Sequence, residues 1–297
     1  MTRRGSLLWF ARHELRLSWR DTLGMMTGGR RGREKTVAIG LIVFLAILHG
    51  VAWCALRQAG KAAILNDLPT LIAVTTGIVL ALSAMLSQAM ESVTRTFYSR
   101  SDLELILSSP AHANRLFVVR LAAIALSVSA MSLLLMGPFI NVLIFEGGAK
   151  WLGAYGVIVA VSFVATALGA ILTVALFHTI GPKRTRLAAQ IAAAIIGGTF
   201  VIGLQLAALF STGTTSRAAF LKSPIVLSRV PNLHSVAWLP ARAALGDGSA
   251  LGVVLLVTFA LLLATILLFA PRFASYAVAA SGVSGRTVKK TVARDFR

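Results

Sequence analysis

Six long apolar stretches run along the chain, and a short polar insert separates the second from the third. The stretches cover about 36–56, 71–90, 116–145, 151–180, 187–210 and 250–271. Each is long enough for a helix to cross the roughly 30 Å hydrocarbon core of a bilayer. Backbone groups in lipid must be hydrogen-bonded within the protein, and a helix does this inside a single segment. The runs are nearly continuous rather than alternating over about ten residues, which argues against a membrane β-barrel. The pattern therefore predicts an all-α, polytopic membrane protein with six transmembrane helices. The third stretch contains Gly137-Pro138. Proline removes a helical hydrogen bond and clashes with the preceding turn, so a kink or break is expected there.

Composition agrees with a membrane solvent. Of 297 residues, 57% are hydrophobic and 13% charged, against about 25% charged in a soluble domain. Mean hydropathy is +0.82. The formal net charge of +19 would suit nucleic acid in a soluble protein. Here the charges lie between apolar blocks, where they fit anionic lipid and topology control, and no nucleic-acid partner is expected. Cys54 is the sole cysteine and lies inside the first stretch, where it reads as buried filler. The first stretch follows a charged segment too long for a signal-peptide n-region, so it reads as a retained anchor.

The basic residues also set a direction. Twenty-one of them flank the ends of the spans on the side of the chain termini, and seven flank the other ends. Arg120 lies about one turn inside the third span. The positive-inside rule then places both termini in the cytoplasm. At that depth Arg120 can snorkel to the headgroups, a membrane-interface role.

The organisation that follows has three parts. Residues 1–35 form an amphipathic elbow and a basic linker, 36–271 the six-span domain, and 272–297 a basic cytoplasmic tail. Leu8, Ala11, Leu15 and Trp19 recur at helical spacing beside a stripe of Arg12, Arg16 and Arg20. That pattern predicts a helix lying in the interface, with Trp9 and Trp19 as aromatic anchors. Between the fifth and sixth spans, Pro224, Pro231 and Pro240 argue against one long helix and for short surface or partly inserted ones. Trp238 in that segment is read as another interface anchor.

The polar insert is the most specific local feature. Ser101 can cap a helix, with Glu104 completing a capping box and Asp102 favouring the positive helix end. Leu103, Ile106 and Leu107 can share one face. Ser109 and Pro110 can then start the next helix. The residues alone predict a short rigid helix near 102–109. It would serve either as a partner contact or as a structural elbow.

The stretch Phe97-Tyr-Ser-Arg-Ser-Asp-Leu-Glu-Leu-Ile-Leu-Ser-Ser-Pro110 resembles the corresponding loop in permease subunits of bacterial ATP-binding cassette (ABC) exporters. The resemblance is to the six-span, ABC-2-like type with an amphipathic elbow. It extends over the whole chain in layout and over this patch in wording. It implies that the helix near 102–109 is a coupling helix seated in a groove of a separate ABC ATPase subunit. Ser101, Asp102, Leu103, Glu104, Ile106 and Leu107 would make that contact. ATP and Mg would bind the partner, and no cofactor would bind this chain directly. Consistent with this, the sequence holds no Walker-type phosphate loop. The resemblance further implies a homodimer, or pairing with a second permease half, in a bacterial cytoplasmic (inner) membrane. Some relatives carry two six-span halves, so the chain also fits one half of a longer permease.

Other classes have weaker signals. A membrane enzyme needs polar groups converging at one depth, and His49, His178 and Glu91 are scattered along the sequence. His49 reads as a tolerated polar residue in the first span. A secondary transporter or a nonenzymatic scaffold or assembly factor remains as the alternative, although no pair of interrupted helices marks an ion site.

Overall fold

The computed structural model describes Arg20, Gly24, Thr27, Gly28 and residues 32–62, 67–98, 113–211, 230–233 and 235–272. Within these, the long helices are α1 (Glu34–Ala62), α2 (Leu68–Tyr98), α3 (Ala113–Gly147), α4 (Gly153–Ile180), α5 (Pro182–Ser211) and α7 (Gly248–Phe269). A six-residue helix, α6 (Leu239–Ala244), precedes α7. Six of these helices are long and apolar enough to span a membrane, over 35–56, 68–96, 116–147, 149–180, 184–203 and 248–272. The protein is an all-α, multi-pass membrane protein.

α4 is the centre of the bundle. Its small residues Ala160, Ala165, Ala167, Gly169 and Ala170 are buried, which lets neighbouring backbones approach closely. α2, α3, α5 and α7 all pack against it, whereas α1 packs chiefly on α3 at the periphery, so Cys54 on α1 is exposed rather than buried as expected. At Gly169 the approach is tight: a methyl group there would meet the Ala89 carbonyl carbon and the Met90 nitrogen of α2 at 3.2 Å. Val93, Phe117, Leu121, Val128, Val174 and Phe177 fill the space between α2, α3 and α4. The outward faces carry large apolar side chains, including Ile42, Ile195, Ile202, Leu256 and Leu267. Such exposure would be a liability in water; against acyl chains it costs nothing.

Several hydroxyl groups inside the bundle are hydrogen-bonded, while those of Thr75 and Thr94 on α2 are buried without a partner. Thr166 and Thr173 donate to the Ser162 and Gly169 carbonyls one turn back, at 2.8 and 2.7 Å. Ser129 of α3 and Ser162 of α4 bond to each other. Ser87 of α2 donates to the Ala193 carbonyl of α5 at 2.7 Å, so a side chain ties two spans together.

The turns follow local chemistry. Asp67 accepts from the Thr70 amide and hydroxyl at 3.3 and 2.9 Å and so caps α2. Gly181 alone separates α4 from α5. Its φ of +77° is a left-handed conformation that glycine adopts without strain, and Pro182 follows at the first helical position. Of the kink or break expected at Pro138, the break is absent, since α3 runs helically from Ala113 to Gly147. A break would leave several backbone groups unsatisfied in lipid, whereas proline in an intact helix leaves only the local mismatch, which packed neighbours tolerate.

Candidate functional site

The two ends of the bundle differ in charge and construction. At one end α2 finishes and α3 begins, and the α4–α5 turn lies beside them. Met90, Leu176 and Ala189 pack together there. Among the described residues, Arg33, Lys35, Arg95, Arg120, Arg184, Arg186 and Arg272 belong to this end. Arg95 pairs with Glu91 one turn back on α2. Arg120 is half-buried about one turn inside the span that starts at Leu116. Residues 99–112 connect α2 to α3 at this end. The sequence-predicted contacts Ser101, Asp102, Leu103, Glu104, Ile106 and Leu107 fall in that connection and lie outside the described residues, as do the anchors Trp9 and Trp19.

The opposite end is closed by short elements that fold back on the bundle. The 3₁₀ turns Ala149–Leu152 and Val236–Trp238 and helix α6 form a small apolar layer. The structure places Trp238 inside this layer, only 4% exposed, against Leu71, Trp151, Ala241 and Leu245. Its indole N–H donates to the Asn232 carbonyl at 3.1 Å. Buried tryptophan usually finds such a partner. Gly153 starts α4 where the Ala243 carbonyl of α6 leaves no room for a side chain. Gly246 has φ of +100° and lies against Lys150.

Asp247 fixes the junction between α6 and α7. Its carboxylate accepts from Ser249 Oγ at 2.6 Å, from the Ala250 amide at 3.0 Å and from Arg242 at 2.9 Å. The Ser249 hydroxyl and the Ala250 amide, helped by the Arg242 charge, hold its pKa below the usual carboxylate value.

A second polar constellation lies within the membrane. His49 of α1, Asn141 of α3 and Tyr155 of α4 form a chain. Tyr155 donates to Asn141 Oδ1 at 2.5 Å, and Asn141 Nδ2 stands 3.3 Å from His49 Nε2. His49 Nδ1 stands 2.8 Å from the Leu45 carbonyl. A carbonyl only accepts, so Nδ1 carries the proton. The amide nitrogen of Asn141 only donates, so Nε2 accepts. One turn further along α1 and α3, Trp53 and Phe145 lie against each other, tilted by 50° with ring centroids 5.6 Å apart. Sequence reasoning treated His49 as isolated because its partners lie 92 positions or more away. The available signal was the matched spacing: a polar residue four positions before an aromatic, in His49/Trp53 and again in Asn141/Phe145.

Among the described residues, no group of three or more His, Cys, Asp or Glu side chains could hold a metal. No protein-family model matches the chain, and neither a curated protein nor a solved structure is significantly similar to it.

Proposed function

We propose that this chain is the membrane-spanning permease subunit of an ATP-driven exporter, moving substrate at the expense of ATP hydrolysed by a separate ATPase subunit. The supporting observation is mechanical. α2 and α3, the two helices joined by residues 99–112, both pack on the central helix α4. A push or rotation applied to that connection is passed through close small-residue contacts, such as Gly169 on Ala89, to the middle of the bundle. A rigid coupling helix near 102–109 would be the contact point. Leu103, Ile106 and Leu107 would enter an apolar groove of the ATPase, and Ser101, Asp102 and Glu104 would cap and orient the helix. ATP and Mg would be held by the partner. Two six-span units, as a homodimer or with a second permease half, would enclose the path. In this reading the basic end faces the cytoplasm of a bacterial inner membrane and both termini lie on that side. Trp9, Trp19 and Arg120 would then meet the cytoplasmic headgroups.

The test is copurification of the chain with an ATPase from its native membrane, compared with the double variant Leu103→Glu/Leu107→Glu. Loss of the ATPase with unchanged membrane insertion supports the proposal. Unchanged association sinks the coupling-helix assignment.

The intramembrane chain of His49, Asn141 and Tyr155 favours one alternative, a secondary transporter driven by an ion gradient, since polar groups at this depth commonly serve such paths. That protein would transport in vesicles containing no ATPase.

A further inference from the structure

His49, Asn141 and Tyr155 lie six or seven residues from the same end of their spans, which finish at Leu56, finish at Gly147 and begin at Ala149. At 1.5 Å per residue this is about 10 Å below the span ends. Asn141 is exposed and the other two are half-buried, so the chain of hydrogen bonds opens onto the bundle surface at the depth of acyl chains. Polar groups so placed are costly unless they find a partner. His49 uses both ring nitrogens internally. Asn141 keeps a second amide N–H and a second Oδ1 lone pair, and Tyr155 keeps its oxygen lone pairs. The open side therefore offers a donor and several acceptors within a few ångströms. A phosphate oxygen only accepts and an ammonium only donates. Hydroxyl groups do both, and so satisfy the whole set. Trp53 and Phe145 add an aromatic surface one turn nearer the membrane exterior, which suits the face of a sugar ring or the first carbons of a chain.

We propose that His49, Asn141 and Tyr155 form a binding site for the hydroxyl-rich headgroup of an amphiphile, such as a glycosylated lipid, drawn below the membrane surface between α1, α3 and α4. Only the description of this ligand as the exported substrate rests on the transporter reading; the binding itself needs no ATPase.

The probe is monoglucosyl diacylglycerol mixed with phosphatidylcholine of the same acyl chains in nanodiscs, with retained lipid counted by native mass spectrometry. The wild-type protein is expected to prefer the glucosyl lipid by about tenfold, a difference of about 1.4 kcal/mol. Tyr155→Phe, which removes one oxygen, and Asn141→Leu should bring retention to the phosphatidylcholine level. Thr199→Val, which removes an exposed hydroxyl on α5, should leave it unchanged. Tyr155→Phe keeps the ring, so it reports even where Asn141→Leu fails to fold. Equal retention of both lipids by the wild type, or preference surviving in Tyr155→Phe, overturns the site. So does a dimer mass lost in Asn141→Leu with no lipid preference, which would assign this face to a second copy. Failure of the copurification test would leave this binding result unaffected.

Discussion

Replacing Gly246 by alanine should loosen the whole closed end of the bundle. Gly246 has φ of +100°, and an added methyl would stand 2.8 Å from the Lys150 carbonyl oxygen, 2.9 Å from its Cα and 3.0 Å from its Cβ. A carbon and a carbonyl oxygen normally keep about 3.3–3.6 Å apart, so backbone must shift by roughly 0.5 Å or more. The left-handed conformation costs a non-glycine residue about 1–2 kcal/mol, and overpacking about 1–3 kcal/mol. The sum is about 2–5 kcal/mol. Gly248, two residues on, is the control: its φ is ordinary and no atom lies within 4 Å of an added methyl. Gly248→Ala should be neutral or stabilising by about 0.4–1 kcal/mol through the unfolded chain. Thermal unfolding in nanodiscs should place Gly246→Ala roughly 4–20 °C below wild type, given about 2–4 °C per kcal/mol for a chain of this order. Hydrogen exchange should quicken at the amides of Leu245, Gly246 and Asp247, which bond to carbonyls of α6. Equal melting and equal exchange in the two variants would refute the claim that α6 is locked on the Lys150 turn.

Asp247→Ala should cost about 1 kcal/mol as a lost helix cap. Asp247 has a lowered folded pKa, so its stabilisation is complete above the unfolded carboxylate value of about 3.9 and disappears as pH falls through the lower folded value. Melting curves of Asp247→Asn should therefore lack the part of the acid-side decline that wild type shows below about pH 4. Ser87→Ala removes the bond from α2 to the Ala193 carbonyl and should cost about 0.6 kcal/mol, typical of hydrogen bonds between membrane helices; steric-trap unfolding would measure it. In a Cys54→Ala background, cysteines placed at Ser6 and Ser284 should react with an impermeant maleimide only from the cytoplasmic side, and one at Val236 only from the opposite side. Labelling of Ser6→Cys and Ser284→Cys from different sides would reject the six-span topology.

The spans were legible because lipid imposes one rule on every exposed position: continuous apolar runs leave few other solutions. The helix centres of all six agree with the apolar blocks, while the ends extend further, as with α2, which continues to Tyr98. The position of each helix in the bundle was not legible. α4 and α7 are both almost wholly apolar, and only the buried Ala, Gly and Thr positions of α4 distinguish a central helix from a lipid-facing one. Trp238 shows the same limit. A tryptophan beside a span suits an interface, yet here Asn232 satisfies its N–H and Leu71 and Trp151 cover its ring. Those partners come from three separate parts of the chain. The His49 chain was hidden for a related reason, because its hydrogen bonds join distant helices and the matched four-residue spacing on α1 and α3 does not say that the two helices meet. Capping is a local signal, since Asp67 and Asp247 act within three residues of themselves, yet the caps expected from the sequence, Ser101 and Ser109, lie outside the described residues.

The central proposal, that this chain transmits ATP-driven motion from a partner through residues 99–112, is tested most directly by ATP hydrolysis in reconstituted vesicles. The copurified complex is compared with one carrying Leu103→Glu/Leu107→Glu, each with and without the glucosyl lipid. The account predicts lipid-stimulated hydrolysis in the first, and in the second only the basal rate of the isolated ATPase. Identical hydrolysis in both, or no ATPase associated with the wild-type chain, would contradict it.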